Sequence, residues 1–131
     1  MKQAAKTTAF SLTIITGLLL VFIGVRFLLA PLTAEDAFGI HVPVSGDYSF
    51  HYIKGIRDLF SGAIIVVLLL MKEYRALGWL LLLAMMVPVT DMSLVVSHPG
   101  YEVAKVYPHA TAVVLAVVLG IYYIRTAGVK R

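Results

Sequence analysis

Between Phe50 and Met71 the chain runs through 22 residues that read as a membrane span, yet Lys54, Arg57 and Asp58 lie near its start. At about 100° per residue, Lys54, Arg57, Asp58 and Ser61 share one arc of roughly 100°, while Ile56, Leu59, Phe60 and Ala63 face elsewhere. The charges therefore form a stripe. A charged side chain at membrane depth costs about 2.5 kcal/mol or more, and such residues almost always face a bundle interior or a wet cavity and find partners there. This helix cannot stand alone in lipid, so the rest of the chain is expected to supply partners for its polar face.

Composition agrees with a membrane setting. Of 131 residues, 60% are hydrophobic and 14% charged, against roughly 45–50% apolar residues in soluble domains. The expected fold is an all-α membrane protein, a four-transmembrane-helix bundle occupying residues 1–131 as a single domain, with spans at about 9–30, 50–71, 76–96 and 103–124. The absence of cysteine excludes disulfides, thiol redox chemistry, iron–sulfur clusters and thiolate zinc sites. The formal charge of +4 is spread along helix ends, which fits membrane topology and not nucleic-acid binding. His41, His51, His98 and His109 include no pair at metal-ligand spacing on one helix, so neither a metal nor another cofactor is expected.

The apolar run from Ala9 to Ala30 is too long for the hydrophobic region of a signal peptide and holds Arg26, so it is read as a retained span. Pro31 ends it, and the turn-rich stretch from Pro31 to Ser49 reads as a loop. Residues 71–75 allow only a tight hairpin. Pro88 is expected to kink the third span, and Pro108 to set the start of the fourth. Lys2, Lys6, Lys72, Arg75, Arg125, Lys130 and Arg131 fall on one side, whereas Glu35, Asp36, Asp47 and Glu102 fall on the other with Lys105 at an edge. By the positive-inside rule both termini are cytoplasmic, in a bacterial inner membrane, with the acidic loops outside. Small residues at helical spacing, namely Gly17 and Gly24, Gly55 and Gly62, and Ala112, Ala116 and Gly120, indicate close helix packing.

Depth along each helix brings the remaining polar residues to one level. Counted at about 1.5 Å per residue from the outer helix ends, Arg26 and Lys54 lie roughly 6 Å in, Asp91 about 7–8 Å, and His109, Arg57 and Asp58 about 10–12 Å. Arg26 and Lys54 are long enough to reach head groups; Asp58 and Asp91 are not, and need cationic partners. Arg26, Lys54 and Arg57 against Asp58 and Asp91 leave one positive charge over. That is before Glu102, Glu35 or a protonated His109 is counted; an outer-loop carboxylate folding in, Lys54 turning to solvent, or an anionic ligand or lipid would each bear on the balance. Tyr48, Tyr52, Tyr101 and Tyr107 gather at the same level, as an interfacial aromatic belt does.

The run from Lys54 to Gly62 (K-G-I-R-D-L-F-S-G), the Arg75-Ala76-Leu77-Gly78-Trp79 opening of the third span, Pro88-Val89-Thr90-Asp91 and His109 together resemble an uncharacterised family of small four-helix integral membrane proteins, a domain of unknown function. The resemblance covers nearly the whole chain and implies a helical architecture without an assigned reaction. From the residues, three functions compete. In the first, Arg26, Lys54, Arg57, Ser61, Tyr52 and Tyr107 bind a lipophilic small molecule through its anionic or polar group, with Asp58, Asp91 and His109 as candidate acid–base catalysts of an isomerase, cyclase or hydrolase type. The second is a proton-coupled transporter acting as a homodimer. In the third, a structural or assembly subunit, the charges only fix helix register. The first is favoured, with membrane lipid as the surrounding partner.

Overall fold

A computed structural model describes residues 2–43 and 45–127. Lys130 and Arg131 lie outside the described residues, as does the side chain of Lys2. Among the described residues there are six helices and no strand: α1 Lys2–Leu29, α2 Pro31–Phe38, α3 Ser49–Leu70, α4 Tyr74–Ala84, α5 Met86–Ser97 and α6 Val103–Ala127. Three stretches, Gln3–Leu29, Tyr74–Ser97 and Val103–Ala127, are long and apolar enough to cross a membrane, as an integral membrane protein requires. At 22 residues α3 approaches them in length and is set apart by its charges.

The stretch read as a loop after Pro31 contains a helix. Pro31 supplies the fixed φ that suits a first helical position, and Gly39 closes α2 with φ 100°, its N–H donating to the Glu35 carbonyl. Lys105 Nζ also donates to the Asp36 carbonyl at 2.7 Å, tying this short helix to α6. The third span bends where expected. Pro88 has no N–H for the Ala84 carbonyl and its ring crowds that group, and the helix breaks at Met85 between α4 and α5. Pro108 does not open α6; it sits inside the helix, which begins five residues earlier at Val103. The first helix likewise starts at Lys2, before the apolar run.

Glycines decide which helices touch. A Cβ built on Gly24 would lie 2.7 Å from the Gly55 carbonyl oxygen, and one on Gly62 would lie 2.7 Å from the Val21 nitrogen. The two spaced pairs thus face each other across an antiparallel α1–α3 contact, backbone against backbone. Gly78 and Gly120 do the same for α4 and α6, at 2.9 and 3.0 Å. Ala112 and Ala116, expected to pack another helix, instead border an internal cavity. The α1–α3 pair and the α4–α5–α6 group join near the chain ends through a cluster of Ala9, Ile65, Leu69, Leu77, Leu81, Leu119 and Tyr123. There Tyr123 stacks on Tyr74, and its hydroxyl lies 2.9 Å from Thr13 Oγ1. A second cluster of Phe27, Ala34, Phe38, Ile40 and Val95 closes the other end beneath α2.

Candidate functional site

The buried face of α3 presents His51, Lys54, Gly55, Asp58, Gly62, Ile65 and Leu69, which apart from the adjacent Lys54 and Gly55 are spaced three or four residues apart as on a core-facing helix. Its two glycines take α1, and its apolar members fill the core near the chain ends. The charged members meet α5 at Asp91.

Lys54 Nζ lies 2.6 Å from Asp58 Oδ2 and 3.4 Å from Asp91 Oδ2. The same ammonium sits over two rings, 4.8 Å from the centre of Phe27 and 4.4 Å from that of Phe38. Arg57 donates from Nε to Asp58 Oδ1 at 3.0 Å, from Nη1 to Asp91 Oδ1 at 3.1 Å, and from Nη2 to Asp91 Oδ2 at 2.7 Å. All four carboxylate oxygens of Asp58 and Asp91 therefore accept from a cation, and the two cations balance the two anions. Ser61 donates to the Arg57 carbonyl at 2.7 Å and adds no further charge.

This quartet corrects the expectation that Lys54 is free to reach head groups, because its side chain is only 6% exposed. Glu35 does fold in, but not to neutralise the quartet. It accepts from the Val42 N–H at 2.9 Å and lies 2.5 Å from His51 Nε2 and 3.3 Å from His41 Nδ1. His51 is fully buried, with Phe50 and Phe27 beside its ring and no hydrogen-bond partner at Nδ1. Sequence reasoning placed neither residue of this second pair in the site. The signal was that His51 precedes Lys54 by three residues and Asp58 by seven, and so shares their helix face.

Arg26 stands apart from the quartet. It is half-buried, its Nη2 donates to the Thr33 carbonyl at 3.3 Å, and its guanidinium lies 5.9 Å from the centre of the Phe22 ring. Among the described residues no carboxylate lies within 4.0 Å of it. His109 Nε2 donates to the Phe38 carbonyl at 3.3 Å, with its ring edge-on to Phe38 at 4.9 Å.

Between the two helix groups lies a cavity of about 590 Å³ bordered by side chains from all six helices. Lys54, Asp58, Asp91, His109 and Arg26 border it toward the α2 end, while Leu20, Ile65, Leu81, Leu115 and Leu119 make its opposite part apolar. Ser61 and Tyr107 also border it, the latter largely exposed at its rim. Tyr52 is not brought to it: the ring is half-exposed and lies beside Tyr48, 6.2 Å between centres.

Residues 17–123, which include every side chain of the quartet and nearly all of the cavity wall, match a family described as a domain of unknown function, DUF4267. The chain belongs to the DUF4267 family. No curated protein and no solved structure matches it. In this DUF4267 chain the K-G-I-R-D-L-F-S-G run contributes three of the four charges, the fourth coming from the P-V-T-D stretch, and His109 stands at the cavity edge.

Proposed function

We propose that this protein is a four-span integral membrane protein whose interior cavity binds a lipophilic small molecule with an anionic or polar group. The charges of α3 are paired within the fold, with Lys54 and Asp58 buried, which lowers the main obstacle to a fourth span. Lys6, Lys72, Arg75 and Arg125 then mark the cytoplasmic face, with both termini inside.

The observation that carries the reading is the cavity itself. Its 590 Å³ falls within the roughly 300–1,000 Å³ typical of small-molecule sites, mostly apolar with a few converging polar groups. Those polar groups divide the labour. Asp58 and Asp91, with every carboxylate oxygen held by a cation, serve as framework and are poorly placed to accept a substrate proton. The bidentate Arg57–Asp91 pair favours register-fixing as the quartet's own task. His109, with Nε2–H given to the Phe38 carbonyl, keeps Nδ1 as an acceptor, and it and Arg26 are the groups suited to meet a ligand's polar end.

Linkage provides the test. A ligand that binds only the folded state raises the unfolding midpoint with concentration. Added lipophilic acids are expected to raise the midpoint of the purified protein and to leave the Ala116→Phe variant, whose new ring fills the cavity, unaffected. Equal responses in the two proteins would contradict the reading.

A further inference from the structure

We infer that Arg26 is the residue that selects the ligand's charge, and that the ligand is a lipophilic carboxylic acid taken up sideways from the bilayer between α1 and α6. The inference rests on the reading of the cavity as a binding site and adds the identity of the recognising cation, the ligand class and the route.

Charge comes first. Lys54 and Arg57 are spent on Asp58 and Asp91, and the aromatic rings at Lys54 are already filled by that residue's own ammonium. A cationic ligand finds no open cation site there, and an anion gains little from a neutral quartet. Arg26 borders the same cavity with no carboxylate within 4.0 Å among the described residues. Only a weak carbonyl contact at 3.3 Å occupies one arm of its fork. One carboxylate matches the single charge of Arg26 and fits a guanidinium through two parallel hydrogen bonds. A phosphate monoester, carrying roughly −1.5 to −2 at neutral pH, overshoots that balance.

Shape gives the rest of the molecule. The lining runs from Thr16 to Phe27 along α1, about 16 Å, and from Ala104 to Leu119 along α6, about 22 Å. A space of 590 Å³ drawn out over that length is elongated. It suits a hydrocarbon tail lying toward Ile65, Leu81 and Leu119 with its polar end at Arg26.

The route follows from where the helices part. α1 and α6 are joined by hydrogen bonds at Ala9, Thr13 and Tyr123, near the chain ends. Farther along, lining residues on both helices face outward, Leu19 being 52% exposed and Tyr107 65% exposed. The cavity therefore opens on the apolar flank of the bundle, and Arg26, one turn from the end of α1, sits at the rim where a head group arrives.

Oleic acid and oleyl alcohol, equal in chain length and different in charge, separate the claims. Binding of each to the purified full chain in nanodiscs is measured by displacement of a fluorescent fatty acid, at mildly alkaline pH. The wild type is expected to prefer oleate by about tenfold or more, the discrimination of a charged hydrogen-bonded pair. Arg26→Gln should lose that preference while still binding the alcohol, which also shows that it folds; Arg26→Lys should keep part of it. A preference that survives in Arg26→Gln overturns the inference. If the wild type binds acid and alcohol equally and Ala116→Phe binds neither, the cavity reading stands and the role of Arg26 falls. If neither compound binds, both fall. For the route, cysteines replacing Leu19 and Tyr107 in this cysteine-free chain are bridged with a bismaleimide: slower oleate uptake from vesicles supports lateral access, and unchanged uptake overturns it.

Discussion

Arg57 and Asp91, 34 residues apart in sequence, meet in a two-pronged ion pair with contacts of 3.1 and 2.7 Å. The pair joins α3 to α5, the distal half of the stretch broken at Met85. It lies where the α1–α3 pair and the α4–α5–α6 group are otherwise separated by the cavity. Removing either partner leaves the other with one remaining ionic contact, Asp91 with Lys54 at 3.4 Å or Arg57 with Asp58 at 3.0 Å. Asp91→Asn or Arg57→Met is expected to destabilise the protein toward the lower end of the roughly 3–5 kcal/mol seen for broken buried pairs, because the Arg57 side chain is 34% exposed. The double variant Arg57→Met/Asp91→Leu should recover most of the loss. Thermal unfolding in detergent checks both, and additive losses would show that the pair is not coupled.

Lys54 is a tethered cation in a site of two phenyl rings and two carboxylates. Lys54→Ala should lower the unfolding midpoint and leave a gap sized for a small amine. Methylammonium is then expected to restore part of the midpoint, beyond sodium at the same ionic strength, by binding the folded state alone. Identical responses to the two cations would refute the caging of Lys54.

The α1–α3 interface depends on hydrogen in place of side chains. A Cβ on Gly24 would approach the Gly55 carbonyl oxygen at 2.7 Å, whereas one on Gly46 would meet nothing within 4 Å. Gly24→Leu is expected to destabilise by at least the roughly 1–3 kcal/mol of an overpacked core, since backbone and not a flexible side chain must yield. Gly78→Leu should act similarly at α4–α6. Unfolding midpoints within error of wild type would argue against these close approaches.

Topology is open to a direct check because the chain has no cysteine. Single cysteines in place of Lys6, Lys72 and Arg125 should be labelled by a membrane-impermeant maleimide only after the membrane is opened. Cysteines replacing His41 or Glu102 should be labelled in intact cells. If position 72 reacts with the same accessibility as position 102, the α4–α5 limb does not cross and the four-span arrangement fails.

The convergence of Lys54, Arg57, Asp58 and Asp91 was legible in the sequence because helical periodicity fixes angle and residue count fixes depth. A single polar stripe on α3 specified what its partner had to carry. The Glu35–His51 pair was not legible, since Glu35 reaches the interior only because α2 is a helix, and the composition of Pro31–Ser49 points to a loop. Nor was the cavity. Ala112 and Ala116 at four-residue spacing look like a packing stripe, and whether such a stripe receives a helix or leaves a void depends on Gly78 and Gly120 setting α4 against α6 farther along. Arg26 illustrates the same limit: its depth was readable, but that Asp58 and Asp91 are fully taken by other cations emerges only in three dimensions.

Native mass spectrometry of the wild-type protein released gently from membranes tests most directly whether the space between α1–α3 and α4–α6 holds a lipophile. The expected result is one tightly retained lipophilic small molecule per chain in the wild type and none in Ala116→Phe. A bare wild-type chain, or the same adduct on both proteins, would contradict it.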